Sequence, residues 1–470
     1  MPLVAGVDSS TSATKVEVRD ADTGAIVGHG SRPHPPTQPP RSEQDPAAWW
    51  TAFEGAWADA GSPSVAALSV AGQQHGMIAL DAERRVIRPA KLWNDTEAAP
   101  DAEWLIEQLP GGASAWAQAC GSLPVASFTI AKLSWLHRRE PDSWARLAHV
   151  VLPHDWLTSR LTGRLTTDRG DASGTGYWSP SIGAYRFDLL AIVDADRDWT
   201  DVVPEVVGGD VVVGEWQGAA VAPGTGDNMA GALGVGLRAG DVAVSIGTSG
   251  TVYAVSETAT ADASGAVAGF ADATGRFLPL VCTLNATRVT EVVRRLLDVD
   301  HDHFDELALA APPGAGGVTL LPYLDGERTP NRPGATGVLT GLRGDLDRPR
   351  LARAAVEGVV CGLLDGLDAL SAFAPTDGRL VVVGGGARSK AYRQVLADLT
   401  GRPVVVPHTP EQVAAGACVQ AAAVLSGAAP ADVAEGWGLA AGDVVEPGEG
   451  AAAAAEVRAA YAALRDASGP

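Results

Sequence analysis

Leu3-Val4-Ala5-Gly6-Val7-Asp8-Ser9-Ser10-Thr11-Ser12-Ala13-Thr14-Lys15-Val16-Glu17-Val18-Arg19 opens the chain, and its pattern returns half a chain later as Val242–Ile246, Gly247-Thr248-Ser249-Gly250-Thr251 and Val252–Ser256. Each copy reads as a strand, a turn of small polar residues and a second strand. Each turn carries Thr-Ser-x-Thr, at residues 11, 12 and 14 and again at 248, 249 and 251. Turns of this kind expose backbone N–H groups and hydroxyls, which suit a polyanion such as a phosphate chain. One such turn in each half predicts duplicated α/β domains holding a nucleotide between them.

A chain of 470 residues is long enough for two or more domains, each with its own core. Its 46% hydrophobic and 19% charged residues are those of a globular protein. A net charge of −21 argues against nucleic acids and anionic membranes as main partners. It leaves room for ATP, which needs only local donors. The chain enters a strand at Leu3, with no basic and then apolar leader pattern ahead of it. No apolar run approaches the roughly 20 residues of a membrane span. Cys120, Cys282, Cys361 and Cys418 stand far apart, without metal or redox spacing, and read as buried free thiols. The expectation is a cytoplasmic protein with no membrane or nucleic-acid partner.

Further elements follow from residue pattern. Ala25–Gly30 reads as a third strand and Pro33–Pro40 as an irregular loop. Asp45-Pro46 reads as a cap with Pro at the first helical position, opening a helix through Trp49, Trp50, Phe53 and Trp57. Val65–Ala71 reads as a buried strand, Met77–Asp81 as another, and Leu133–Arg139 as part of an amphipathic helix. In the second half, helices are predicted at Arg288–Leu297, Arg350–Phe373, Ser389–Thr400, 413–426 and 452–466, with strands at Arg379–Val383 and Val404–Pro407. Residues 428–451 read as surface structure. Twelve of the thirteen tryptophans precede residue 217. Most serve as core, and the rest place a sugar pocket, whose C–H faces pack on indoles, in the N-terminal half.

Among residues that carry chemistry, Asp227 in Gly224-Thr225-Gly226-Asp227-Asn228 is the sharpest. It is compatible with an ordinary helix cap. Its closeness to the second phosphate turn favours a base that takes the proton of a sugar hydroxyl as it attacks phosphorus. Asp8 beside the first turn either stabilises that turn or holds Mg²⁺, directly or through water. Lys15 supplies a nearby cation. Gly384-Gly385-Gly386 follows a strand and precedes a helix, and beside two phosphate turns it reads as a platform for adenosine. Gln74 and His75 end a strand among glycines, where His75 can meet a sugar hydroxyl. His301-Asp302-His303 lacks further spaced ligands and reads as a solvated loop. There is no P-loop, no third glycine at Rossmann spacing after Gly236, and Gly247–Thr251 is one residue wrong for a nucleophile elbow.

Together these segments resemble the FGGY carbohydrate kinases, and within them the xylulokinase branch. The matching stretches are Gly6–Lys15, Gly72–Met77, Leu92–Asp95, Asp168–Gly174, Gly226–Gly236, Ser245–Thr251, Leu321–Pro330 and Gly384–Asp398. The run Leu-Pro-Tyr-Leu-Asp-Gly-Glu-Arg-Thr-Pro at 321–330 is the most distinctive. The resemblance implies two actin-like ATPase domains of the ribonuclease-H type, 1–237 and 238–470, with ATP and sugar meeting in a cleft between them. It implies Asp227 as the catalytic base and Asp8 as the partner of Mg–ATP, both near the metal. Ser9, Thr11, Ser12 and Lys15, with Gly247, Thr248 and Ser249, correspond to the two phosphate motifs, and Gly384, Gly385 and Gly386 to the adenosine motif. Gln74, His75, Trp93, Asp95 and Asn228 correspond to sugar contacts, and a homodimer is implied. The sequence departs from the branch at Gln74, where Met is usual, at His154 and Trp156 within Leu152–Trp156, and at Arg139.

The expected reaction is ATP-dependent phosphorylation of a ketopentose, D-xylulose to D-xylulose 5-phosphate. The alternatives are another pentulose, a tetrulose or a polyol, or a non-catalytic nucleotide or sugar sensor on the same fold. Retention of Asp227 speaks against the sensor, which needs no base.

Overall fold

The computed structural model describes residues 2–469. Two compact units emerge, one of residues 1–237, 257–278 and 409–441, the other of residues 238–256, 279–408 and 442–470.

The first unit is built on the opening strand. Leu3–Ser9 is almost wholly buried and pairs antiparallel with Ala13–Asp20 and parallel with Ala67–Gly72. The sheet runs in the order Gly214–Trp216, Ala219–Val221, Ala67–Gly72, Leu3–Ser9, Ala13–Asp20, Ile26–Pro33, with the two-residue strand Thr225–Gly226 also joined to the end of Ala67–Gly72. Helix Pro46–Asp59 is capped by the Asp45 carboxylate, which accepts from Ala47 N–H, and begins with Pro at its first position. It buries Trp49, Phe53 and Trp57 in the sheet core with Val16, Val18, Leu68 and Val70, each large side chain contributing about 1.5–3 kcal/mol of transfer free energy.

A second helix, Gln412–Ser426, arrives from far along the chain and packs by backbone instead of bulk. Its interior is Ala-rich, and a Cβ at Gly6 on the opening strand would lie 2.0 Å from Ala414 O. The same helix meets Asp227–Gly234 through glycines: a Cβ at Gly234 would sit 1.8 Å from Gln412 O, and one at Gly416 1.8 Å from Ala230 O. This close approach fixes the helix whose first residue is Asp227. A separate core gathers Trp116, Ile130, Leu133, Leu136, Trp144 and Trp199 under helices Ala99–Gln108, Gly112–Cys120 and Thr129–Arg139. Most of the tryptophan clustered in the first half is therefore core.

In the second unit the sheet order is Phe277–Thr283, Gly250–Ala254, Val242–Ile246, Leu380–Val383, Val404–Pro407, Gly442–Val445. The repeated strand–turn–strand lies at its centre, with Val242–Ile246 antiparallel to Gly250–Ala254 and parallel to Leu380–Val383. The 24-residue helix Arg348–Ser371 packs against Gly250–Ala254 with most of its length buried.

One segment lies at the surface as expected but holds more regular structure than its pattern announces, and another differs from expectation. Residues 428–451 contain the helix Pro430–Gly436 and the strand Gly442–Val445, which pairs with Val404–Pro407 along its whole length. Their Gly and Pro residues mark the ends of these short elements. His301-Asp302-His303 is the first turn of helix His301–Ala310, because Asp300 accepts from His303 N–H and starts it. All four cysteines are buried free thiols. Among the described residues no single helix is long and apolar enough to cross a membrane.

Candidate active site

In the first unit, parallel pairing brings the ends of Leu3–Ser9, Ala67–Gly72 and Thr225–Gly226 side by side, with Ser9 opposite Gly72 and Gly72 opposite Gly226. Asp8, Gln74 and Asp227 all extend from this edge. Gly226 occupies the cap position of Asp227–Gly234, and Asp227 is the first helical residue. Asp227 is therefore not a side-chain cap. Its Oδ1 accepts from Asn228 N–H at 2.8 Å and from Asn228 Nδ2 at 2.9 Å, and Asn228 Nδ2 also donates to Gln74 Oε1 at 2.6 Å. Asp227 Oδ2 accepts no hydrogen bond among the described residues. A Cβ on Gly226 would fall 2.7 Å from Gln74 Cγ, so glycine is what lets Gln74 reach Asn228.

Asp8 is 4% exposed, and its Oδ1 has no hydrogen-bond partner among the described residues. Lys15 Nζ lies 3.7 Å from Asp8 Oδ2 and 2.6 Å from Glu411 Oε2. Burial pushes the Asp8 carboxyl up to about 6 against the pull of Lys15, with Glu411 raising it further. Burial, reinforced by the charge of Asp8, pushes Asp227 up to about 7, although the Asn228 hydrogen bonds favour its ionised form. Two carboxylates, each with an oxygen that no described residue bonds, fit the hard oxygen ligation that Mg²⁺ prefers.

The first turn is only partly open. Ser9 is fully buried, its Oγ accepting from the Thr14 hydroxyl. The Thr11 hydroxyl donates to Gln73 Oε1 and accepts from the Trp93 indole at 2.8 Å. Trp93 thus braces the turn, while Ser12 stands exposed.

His75 takes a left-handed conformation, φ 58°. Its N–H donates to Asp171 Oδ1 at 3.3 Å, and its carbonyl accepts from Lys132 Nζ at 2.9 Å and from the Thr129 hydroxyl. Burial drives the Lys132 ammonium down to about 7. Phe128 and Phe270 flank the His75 ring, and a Cβ on Gly174 would overlap it at 1.9 Å.

Asp95 points elsewhere, into an ion cluster where it accepts from Ser42 N–H and Lys91 Nζ, each at 3.0 Å. Glu43, Asp95 and Glu97 are close enough to share a cation. The buried Lys91 ammonium already fills that role, lying within 3.1 Å of all three and 3.9 Å from the centre of the Trp135 ring. Sequence reasoning assigned no chemistry to Gln73, Lys132, Asp171 or Gly174. Asp171 and Gly174 lie within a segment that drew attention only by resemblance, and the steric need for Gly174 depends on a contact 99 residues away in the chain.

In the second unit, Gly247–Ser249 and Gly384–Gly386 leave the same end of two adjacent parallel strands, the position where open α/β sheets bind ligands. Gly384 has φ +82°, and a Cβ there would lie 2.8 Å from Ile246 O, while one on Gly386 would lie 2.5 Å from Ile246 Cγ2. Gly385 faces open space. Gly247, Thr248, Gly385 and Gly386 line a cavity of about 1030 Å³ with Arg288, Asp305, Arg388 and Tyr392 among its walls. The Gly247 carbonyl accepts from the Thr287 N–H and hydroxyl, pinning the turn to helix Thr287–Leu297.

The likeness extends along the chain. Residues 3–234 match the N-terminal domain, and residues 242–425 the C-terminal domain, of the FGGY family of carbohydrate kinases. The chain is 48% identical over 454 residues to a xylulose kinase of Streptomyces coelicolor, covering 95% of this chain and 92% of that one. It is 36% identical over 423 residues to the xylulose kinase of Escherichia coli, covering 84% of each. Among solved structures, the xylulose kinase from Bifidobacterium adolescentis is 40% identical with a TM-score of 0.85, covering 99% of both chains. With both domain signatures in order and the carboxylates and glycine turns on the sheet edges just described, the chain belongs to the FGGY family of carbohydrate kinases, on the actin-like ATPase fold.

Proposed function

We propose that the protein phosphorylates D-xylulose at its C5 hydroxyl, using ATP. The observation that carries this reading is the hydrogen-bonded run Gln74–Asn228–Asp227, which sets an amide pair for sugar hydroxyls beside a carboxylate with an unused oxygen. Identity to proteins named xylulose kinase supports the choice of sugar.

Asp227 Oδ2 takes the proton as the hydroxyl oxygen attacks the γ-phosphorus, and ADP leaves in line. The Asn228 hydrogen bonds hold Oδ1, so Oδ2 is the atom that receives the proton. Gln74, His75 and Asn228 orient the ketose, and Trp93 acts through Thr11 to keep the first turn in shape. Asp95 acts at a distance, by holding Lys91 and the Ser42 backbone. Asp8 would hold Mg²⁺, with Asp227 close to it, and the ion when bound offsets negative charge on the phosphates. In the first unit the turn at 9–15 is assigned to phosphate, and in the second the turn at 247–249 to phosphate and the cavity beside Gly384–Gly386 to adenosine. The protein works in the cytoplasm, where its nucleotide is supplied.

ADP release measured against a panel of ketoses, aldoses and polyols tests the assignment. D-xylulose should give the highest kcat/KM. A polyol or another ketose in first place overturns the choice of sugar, and ADP formation that no sugar stimulates overturns the kinase reading in favour of a sensor.

A further inference from the structure

Next to the residues assigned to the ketose lies a closed cluster of one imidazole and three carboxylates that the proposed reaction does not use. His154 and Asp155 open helix Pro153–Thr162, Asp168 ends strand Thr166–Asp168, and Asp171 lies in the helical turn Arg169–Ala172. All four are buried, none more than 2% exposed. His154 Nε2 stands 3.1 Å from Asp155 Oδ1, 3.5 Å from Asp168 Oδ1 and 3.5 Å from Asp171 Oδ2. On its other side Nδ1 faces the Pro223 carbonyl, and a Cβ on Gly224 would lie 2.9 Å from it.

Both ring nitrogens therefore face acceptors, although neither makes a hydrogen bond among the described residues. They are satisfied together only if each carries a proton, or if a facing carboxyl shares one. Three ionised carboxylates around a neutral ring would set like charges together where water does not reach, so the cluster keeps at least one extra proton.

Two arms leave the cluster. Asp171 Oδ1 accepts the His75 N–H and lies 3.6 Å from His75 Nδ1. Asp168 Oδ2 accepts from the Thr225 hydroxyl at 2.6 Å, two residues before Asp227. We propose that His154 is a positioning residue for the ketose site, its ring clasping Asp168 and Asp171 so that His75 and the Thr225–Asp227 segment hold a fixed separation.

Beyond the cluster itself, the charged or titratable groups that face it are His75, Lys132, Arg169, Tyr177, Tyr185 and Asp227. Burial dominates over all of them. It pushes Asp168 up to about 6, Asp155 and Asp171 well above the usual carboxylate range, and His154 down to about 3. Burial thus favours the neutral form of ring and carboxyls alike, which leaves the retained proton on the carboxyl side. Rising pH removes it, and the added negative charge loosens the clasp.

This inference rests on the assignment of ketose binding to Gln74 and His75. Steady-state kinetics of the full-length wild type, His154→Gln and His154→Lys with D-xylulose and Mg–ATP, from pH 6 to pH 9, test it, with thermal melting to check folding. In the wild type, KM for the ketose should rise between pH 8 and pH 9, above the range in which Asp8 and Asp227 ionise, while KM for ATP stays level there. His154→Gln, which cannot bridge three carboxylates, should raise the ketose KM about tenfold or more at pH 7, with KM for ATP unchanged. His154→Lys, which brings an ammonium in among the three carboxylates, should recover most of that loss and change the pH dependence. A folded His154→Gln with wild-type ketose KM overturns the inference, as does an equal rise in both KM values. If the Gln variant does not fold, a folded Lys variant with an impaired ketose KM and the wild-type pH profile overturns it. Failure of the underlying assignment looks different, because the wild type itself would then not phosphorylate the ketose.

Discussion

At the scale of single residues, the proposed base is held in a state that costs the fold something. Asp227 titrates at about 7 in the folded chain against 3.8 for an ordinary Asp. Its folded pKa is raised, so its contribution to stability is full below the ordinary value and is lost as pH rises through 7. Asp227→Asn removes the half-buried charge while keeping the Oδ1 acceptor for Asn228. In the ligand-free, metal-free protein this variant should melt above the wild type at pH 8, with the gap narrowing at pH 5. The same change should lower kcat by about 10²–10⁴, the usual worth of a general base. Paired melting curves and turnover assays check both, and a variant that is less stable at pH 8 or turns over normally contradicts the role. Gly174 supports a second residue-level prediction. A methyl there would overlap the His75 ring at 1.9 Å, so Gly174→Ala should raise the ketose KM about tenfold or more by displacing His75. Its KM for ATP should not change.

At the scale of elements, the glycine turn separates a folding requirement from a binding one. Gly384 has φ +82° and abuts the Ile246 backbone, whereas Gly385 has no positive φ, and a methyl added to it would meet nothing within 4 Å. Gly384→Ala should therefore destabilise the protein by about 1–3 kcal/mol, read by urea denaturation. Gly385→Ala should keep wild-type stability but raise KM for ATP, because its added methyl meets only the nucleotide. The repeated strand–turn–strand and the strand–glycine–helix unit were legible in the sequence because β-branched runs and small-residue turns are local signals. The roles of Thr11 and Thr14 were not. Both sit in the same short pattern, yet one hydroxyl is taken by Trp93 and Gln73 and the other is buried against Ser9. Strand Gly442–Val445 escaped notice for a related reason: four residues at a sheet edge carry little pattern, and only their partner Val404–Pro407 makes them a strand. Asp95 shows the limit most plainly, since Lys91, four residues away, draws it into an ion cluster that no motif announces.

At the scale of the whole molecule, the charge of −21 bears on how an anionic nucleotide arrives. Mg–ATP is negative, so the long-range field repels it, while D-xylulose is neutral and feels nothing. Local cations offset this only where they outnumber local acids. In the cavity assigned to adenosine they do not: Arg288, Arg294, Arg295 and Arg388 are matched by Glu291, Asp302, Asp305 and Asp325. Arg288 and Arg294 are moreover already paired, with Asp325 and Glu291, at 2.5 Å each. The global term should then set the sign of the salt effect. The Debye length shrinks from about 30 Å at 0.01 M to about 8 Å at 0.15 M salt, which screens the distant acidic surface far more than groups touching the nucleotide. Raising potassium chloride across that range should therefore increase kcat/KM for Mg–ATP severalfold and leave kcat/KM for the ketose level. A fall in the nucleotide value would show instead that basic groups at the phosphates outweigh the field. Lys15 would then be the first to test, because its ammonium, 3.7 Å from Asp8, is the cation nearest the paired carboxylates.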